Sequence, residues 1–105
     1  MGYWPANTKS FRTIAVVCLV INQPYRAQHL LVPDGLLLLV KSYSGNAPAA
    51  LCRIATNSFE CTTINASYTL VVGEAVAFQI QDAYECFVSS TVAGSIVTFT
   101  AEQEG

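Results

Sequence analysis

Short apolar runs separated by polar turns recur along the chain, and the clearest example surrounds Pro33-Asp34-Gly35. Proline fixes a backbone angle that favours a tight turn, and glycine supplies the positive φ that a side chain would oppose. The run that follows, residues 36–40, has no polar member and ends too soon for a typical helix. This pattern predicts a strand that is covered on both faces.

Turn signals return about every 8–12 residues, and no segment keeps a helical period of apolar positions. The apolar runs predict strands at residues 12–22, 26–32, 36–43, 51–56, 59–64, 68–72, 76–80, 84–90 and 96–101. The runs on either side of Asn57-Ser58 are expected to form a hairpin, and short connections favour antiparallel pairing throughout. The predicted fold is an all-β, antiparallel β-sandwich of eight or nine short strands, either jelly-roll-like or immunoglobulin-like.

The 105-residue chain has the length of one domain, and its pattern divides it into three segments. Residues 12–101 hold the strands, and residues 102–105 form a polar C-terminal tail. Residues 1–11 are expected to form an N-terminal arm outside the sandwich. Because Tyr3, Trp4 and Phe11 are too apolar for a solvated tail, the arm is expected to dock on its own domain or on a neighbouring molecule.

The composition leaves few charged groups for the surface of the protein. Hydrophobic residues make up 52% of the chain and charged residues 11%, against about 25% charged residues in typical domains. Part of the surface is therefore expected to be covered by a partner or by copies of this chain, the alternative being a monomer with a neutral, Ser- and Thr-rich surface. The net charge of −2 argues against nucleic acid binding, and no apolar run approaches the roughly 20 residues that span a membrane.

Candidate chemical groups do not form a recognisable catalytic or metal-binding set. His29 is the only histidine and has no nucleophile or metal ligand at a recognisable spacing. The acids Glu74, Asp82 and Glu85 stand at or beside turns, where carboxylates are usually solvated. The four cysteines lie in apolar or β-like runs and are predicted to be buried free thiols rather than disulfides. The sequence thus predicts a protein that is not an enzyme and holds no cofactor or metal.

A set of turn and strand residues over about the last 70% of the chain carries a family resemblance. Its members are Val32-Pro33-Asp34-Gly35, Val40-Lys41, Gly45-Asn46, Tyr68, Leu70, Gly73-Glu74, Val76, Phe78, Ile80, Tyr84, Val88, Gly94, Val97 and Phe99. In this order they resemble small β-sandwich virion proteins of tailed bacteriophages, which decorate or cement the capsid or form the bases of head fibres. The resemblance implies a structural protein of the virion, assembled in the host cytoplasm.

The function expected from these observations is that of a capsid decoration or cement protein. Its expected partners are the major capsid protein or another virion protein and further copies of itself, as a trimer or dimer. The predicted contact residues are Tyr3, Trp4 and Phe11 as aromatic anchors, with Lys9 and Arg12 for charge pairing. Two alternatives stay open: a small carbohydrate- or receptor-binding module that uses tyrosines such as Tyr25, Tyr43, Tyr68 and Tyr84, and a connector or tail component.

Overall fold

The computed structural model describes residues 10–63 and 65–103, and this part of the chain is built almost entirely of strands. Eight strands are present: β1 (Ser10–Cys18), β2 (Tyr25–Arg26), β3 (Leu38–Ser42), β4 (Cys52–Ala55), β5 (Tyr68–Leu70), β6 (Ala75–Phe78), β7 (Phe87–Ser90) and β8 (Ser95–Gln103). The two remaining elements are short 3-10 turns, η1 (Glu60–Thr62) and η2 (Ala83–Glu85). The prediction of an all-β protein with eight or nine strands is confirmed.

The strands form two four-stranded antiparallel sheets. The first sheet has the order β1-β8-β3-β6, and the second has the order β2-β7-β4-β5. The pairs β1 with β8, β2 with β7, β3 with β6 and β4 with β5 are those of one long antiparallel ribbon that has been rolled into two layers. This is the double Greek key of a jelly roll, and it differs from the strand order of immunoglobulin-like sheets.

The core lies between the two sheets and consists of every second residue of each strand. In β8 the inward residues are buried and the intervening ones are half-buried, whereas in β3 the inward residues are buried and the intervening ones are exposed. Phe99 and Leu38 of the first sheet have no exposed surface, and Leu70 and Val88 of the second sheet have at most 1%. Period-two burial of this kind is the physical basis of the strand predictions, since successive side chains point to opposite faces of a sheet.

The Pro33-Asp34-Gly35 turn is present, but Pro33 is the first of its four residues and not the first of the two central ones. Leu36 N donates to Pro33 O at 3.0 Å, which places Asp34 and Gly35 at the two central positions. Gly35 has φ +81°, the left-handed value that a turn of this kind requires at its second central residue. The turn therefore depends on the glycine, while Pro33 closes it through its carbonyl group.

Several predicted boundaries differ from those of the structure. β1 begins at Ser10, inside the segment assigned to the arm, and β8 runs on to Gln103, inside the predicted tail. The predicted strand 26–32 is reduced to β2 and one isolated bridge between Leu31 and Asp82. The predicted strand 59–64, and with it the hairpin about Asn57-Ser58, is wrong, because the chain forms η1 there.

Candidate functional site

The outward side of the first sheet is exposed apolar surface with few charges, and we call it the bare face. Phe11 is 69% exposed, Val17 43%, Leu37 39% and Leu39 41%. Between them lie small or hydroxyl side chains, and Lys41 and Glu102 are its charged members. By the alternation of the strands, the face consists of Phe11, Thr13, Ala15, Val17, Leu37, Leu39, Lys41, Ala75, Ala77, Ile96, Thr98, Thr100 and Glu102.

A shallow groove of about 240 Å³ crosses one end of the bare face. It is lined by Phe11, Leu37, Leu39, Ala77, Thr100 and Glu102, which come from all four strands of the first sheet or from the residue before β3. The strand register explains this assembly, since Leu39 stands between Thr100 and Ala77 on its two neighbours. The groove is large enough for an apolar side chain of a partner, and its single carboxylate lies at Glu102.

The predicted contact residues are only partly placed by the structure. Phe11 lies in the groove, whereas Arg12, the next residue of β1, is exposed but stands in step with the inward-facing Ala101 and so points away from the bare face. Tyr3, Trp4 and Lys9 lie outside the described residues. The residues that sequence reasoning missed are Leu37 and Leu39: the prediction that residues 36–40 are covered on both faces is wrong, because the odd-numbered side chains of this run point away from the core.

The outward side of the second sheet is covered at β4 and β7 by the chain itself. The residues of η1 contact both of these strands. Beneath them Arg53 is 8% exposed, while Ser89 and Cys61 have no exposed surface. The Ser89 hydroxyl donates to the Cys61 carbonyl group and fastens η1 to the sheet. At Arg53 and Ser89 this side of the sandwich is therefore closed to a partner.

The most concentrated group of polar side chains lies at the end of the molecule that carries η2. Asp82 caps η2 by accepting from Tyr84 N at 3.0 Å, and it also accepts from Leu30 N at 2.9 Å and from His29 Nδ1 at 2.7 Å. Burial opposes ionisation of Asp82, but the hydrogen bonds from Tyr84 N, His29 and Leu30 N outweigh it and lower the pKa of this carboxyl below its ordinary 3.8.

The His29–Asp82 pair is a structural contact rather than part of a catalytic set in the described residues. Asp82 is the hydrogen-bond partner found there for the His29 ring, and no serine or cysteine of the described chain bonds to it. Acyl transfer needs a nucleophile that is hydrogen-bonded to the histidine. What the pair does is hold the segment before β3 against η2.

Tyr84 is stacked on both sides and is not available as a sugar platform. The His29 ring lies 3.9 Å from it, nearly parallel, and the Arg26 guanidinium lies 3.6 Å from its centroid. Two groups this close to one ring must occupy opposite faces. Tyr25 is also engaged, since its hydroxyl accepts from Val20 N at 2.9 Å. Two of the tyrosines considered for carbohydrate binding are therefore committed to contacts within the chain.

The cysteines are free and buried, as the sequence predicts. Burial raises the pKa of Cys18 to about 12, with the nearby Cys52 and Cys61 adding to the effect. Burial also raises the pKa of Cys86 to about 11, and that of Cys61 above its ordinary value. A thiol that is buried and protonated is a small apolar side chain, not a nucleophile.

Comparison with models of protein families, with curated proteins and with solved structures found no match. The described residues contain no group of three or more His, Cys, Asp or Glu side chains arranged to hold a metal ion. No helix in the described ranges has the length and apolar character needed to cross a membrane. The bare face is therefore the feature of this structure on which a function can be argued.

Proposed function

We propose that this chain is a non-enzymatic structural protein of a virion, a capsid decoration or cement protein that binds the capsid surface and stabilises it. The observation that carries the proposal is the bare face: a flat, weakly charged sheet surface left open by a chain that covers its other sheet. Contiguous exposed apolar surface of this kind is typical of a protein interaction site.

The fold and the sequence resemblance support the same assignment. Jelly rolls with eight strands and two Greek keys are common among viral capsid proteins, although they also occur in lectins and other proteins. Because one fold hosts many functions, the topology supports the proposal only together with the surface that would perform it. The resemblance to small bacteriophage virion proteins is what favours the major capsid protein or another virion protein as the partner.

The physical mechanism is stabilisation by selective binding. A protein that binds the assembled capsid, and not its dissociated subunits, shifts the equilibrium toward the assembled state. Apolar side chains of the capsid would enter the groove beside Phe11 and Leu39, where about 25 cal/mol is gained for each Å² removed from water. Since the bare face carries only Lys41 and Glu102 as charged members, little desolvation of charge opposes the contact.

The proposed site also gives the N-terminal arm a place in the complex. The arm leads directly into β1, at the end where Phe11 lines the groove. In the proposed complex Tyr3 and Trp4 extend the apolar contact onto the capsid, and Lys9 and Arg12 pair with acidic groups there. The location proposed for the protein is accordingly the virion, and its oligomeric form is a dimer or trimer.

The test is binding to capsids assembled from the major capsid protein of the same source. Co-sedimentation gives the affinity, and the thermal transition of the capsid gives its stabilisation. Leu39→Lys places a charge in the groove, and we expect it to weaken binding about tenfold or more, which corresponds to about 1.4 kcal/mol. Phe59→Lys is the matched control, because Phe59 is 75% exposed but directly precedes η1, which contacts the second sheet.

Deletion of residues 1–9 tests the arm while leaving all of β1 in place. We expect the truncated protein to lose most of its affinity for the capsid. Full attachment by the truncated protein would remove the arm from the proposal, and equal attachment by Leu39→Lys and the unaltered protein would remove the bare face. Binding to a glycan array through Tyr43 or Tyr68, with none to capsids, would support the carbohydrate-binding alternative instead.

A further inference from the structure

We infer that β1 is the strand through which two copies of this chain pair, antiparallel and across a two-fold axis, so that their first sheets join into one eight-stranded sheet. The inference concerns self-association alone and does not rest on attachment to a capsid. It follows from the open edge of the first sheet, from the direction of the backbone groups along that edge, and from the residues that the edge lacks.

The hydrogen-bond pattern shows which backbone groups of β1 face outward. Cys18 O accepts from Gly94 N, so the N–H and C=O groups of Cys18 and of the residues in step with it point toward β8. Because these groups alternate in direction along a strand, Phe11, Thr13, Ala15 and Val17 present theirs to the open side. In the described chain β8 is the only strand that pairs with β1, so these groups have no strand partner there.

β1 is the only long edge among the described strands. It has nine residues, whereas the other edge strands, β6, β2 and β5, have four, two and three. Proteins usually protect an edge by keeping it short or by placing lysine, proline or a bulge in it. β1 contains no lysine, proline or glycine, and its only charged residue is Arg12. The sequence of β1 thus lacks the residues that usually prevent a second strand from pairing with an edge strand.

One two-fold register uses every outward-facing group of β1. With the axis at Ile14, Phe11 stands opposite Val17 of the second copy and Thr13 stands opposite Ala15. All four outward residues of each copy then exchange both backbone hydrogen bonds, as directly opposed residues do in an antiparallel ladder. A shift of the axis by one residue leaves at least one of them without a partner.

The side chains are compatible with this pairing, which points to a second copy rather than an unrelated peptide. In the same register Arg12 lies opposite Val16 of the second copy, so the two Arg12 side chains do not face each other. On the outer side, apolar Phe11 and Val17 meet, and small Ala15 meets Thr13. Such a contact is isologous, since the same patch serves both copies. The bare faces of the two molecules become continuous.

The first experiment measures absolute mass by light scattering on a sizing column, under reducing conditions. We expect the unaltered protein at about twice the 11.3 kDa chain mass and Ala15→Pro at one chain mass. Proline at position 15 removes an outward N–H and places its ring at the open edge, while the ladder with β8 stays intact. Ala77→Pro is the matched control, because it makes the same change at an outward group of β6, on the opposite edge of the same sheet; we expect it to stay dimeric.

A second measurement tests the register and does not depend on the proline variant folding. Across the proposed axis two Ile14 residues oppose each other with Cα atoms about 4.5 Å apart, within the range of a disulfide. Ile14→Cys should therefore cross-link under mild oxidation. Val16→Cys should not, since the two Val16 positions lie on the order of 13 Å apart along the strands.

The outcomes decide between the possible occupants of the edge. A monomeric or trimeric unaltered protein, a dimeric Ala15→Pro, or equal cross-linking of the two cysteine variants overturns the inference. A monomer that dimerises only after deletion of residues 1–9 also overturns it for the intact chain and assigns the edge to the arm. If Ala15→Pro is monomeric and still binds capsids, the proposed function stands. If the unaltered protein is a dimer but does not bind capsids, the inference is supported and the proposed function is refuted.

Discussion

The outer faces of the two sheets differ in what covers them, although both belong to one sandwich. On the second sheet, where η1 contacts β4 and β7, Arg53 is only 8% exposed and Ser89 is fully buried. Over the first sheet, Leu39 is 41% exposed and Phe11 is 69% exposed. The covered residues Arg53 and Ser89 have polar side chains that need hydrogen-bond partners, whereas the exposed Leu39 and Phe11 need only apolar contact.

The difference separates surface that is buried when the chain folds from surface that stays exposed and available to another molecule. The Ser89 hydroxyl donates to Cys61 O, and Arg53 Nη1 donates to Asn22 Oδ1 at 3.4 Å, although the buried Arg53 Nε has no hydrogen-bond partner among the described residues. Phe11, Leu37 and Leu39 have no polar side-chain atoms that need a hydrogen-bond partner, and they remain exposed for contact with another molecule.

The largest effect on stability is expected from a leucine at a buried position on the outward side of the second sheet. Ser89→Leu removes the hydrogen bond to the Cys61 carbonyl group and adds bulk at a site with no exposed surface. We expect the free energy of unfolding to fall by about 3 kcal/mol, from overpacking and an unpaired buried carbonyl group. Thr98→Leu makes a comparable change on the bare face and should stay within about 0.5 kcal/mol of the unaltered protein. Urea unfolding of both variants measures this, and equal losses would show that the faces do not differ.

The next effect is a dependence of stability on pH. It is expected because the cysteine thiols are buried, either between the two sheets or within η1. Burial raises the pKa of Cys18 from 9.0 to about 12, so the folded protein keeps a proton that the unfolded chain loses. The free energy of unfolding should therefore be constant up to about pH 8 and fall above pH 9. Urea unfolding between pH 7 and pH 10 measures this fall, and Cys18→Ala should reduce it. A stability that is the same at both ends of this range would contradict the assignment.

The strands and turns were largely predictable because their signals are local. Alternation at Val76, Phe78 and Ile80 matches the half-buried inner side of β6 and the residues that follow it. The buried thiols could be predicted because cysteine in an apolar run has no other low-energy environment in a reduced protein. Pairing of β1 with β8, and hence the choice of jelly roll, could not be predicted, because it joins the two ends of the chain.

The error at residues 59–64 has a physical cause in side-chain hydrogen bonds. The segment looks like a strand, but Asn57 Oδ1 accepts from Glu60 N and Glu60 Oε1 accepts from Asn57 Nδ2. The hydroxyl groups of Thr62 and Thr63 both donate to Phe59 O. Polar side chains that bond to nearby backbone groups compete with sheet pairing, and here they favour η1.

The bare face does not follow from the apolar run at residues 36–40, because such a run by itself predicts burial on both sides. Leu37 and Leu39 share their side of β3 with Lys41, and a lysine seldom lies on a fully covered face. Lys41 directly follows the run, and it is the signal in the sequence that this side is open. Apolar residues on an open face indicate contact with another molecule rather than a second covering layer.

A smaller loss of stability is expected at Asp82, which lies on neither outer face. Asp82→Ala removes the cap of η2 and the contacts to Leu30 N and His29, and we expect a loss of about 1–2 kcal/mol at pH 7. Because the pKa of Asp82 is lowered in the folded protein, its contribution is present above pH 4 and lost as pH falls below 3.8. Urea unfolding at pH 7 and pH 3 measures the difference. Asp34→Ala, at an exposed turn acid, is the control and should have little effect at either pH.

The smallest effect on stability is expected from a charge on the bare face itself. Leu39→Lys leaves the core untouched, because Leu39 points outward and is already 41% exposed; we expect a change within about 0.5 kcal/mol. The same variant should lower the fluorescence of a hydrophobic dye bound to the folded protein, since it interrupts the contiguous apolar groove. Phe59→Lys removes a more exposed but isolated apolar side chain and should leave the fluorescence unchanged. If Leu39→Lys instead cost as much as Ser89→Leu, the first sheet would have to be covered in solution, and the contrast between the two faces would be lost.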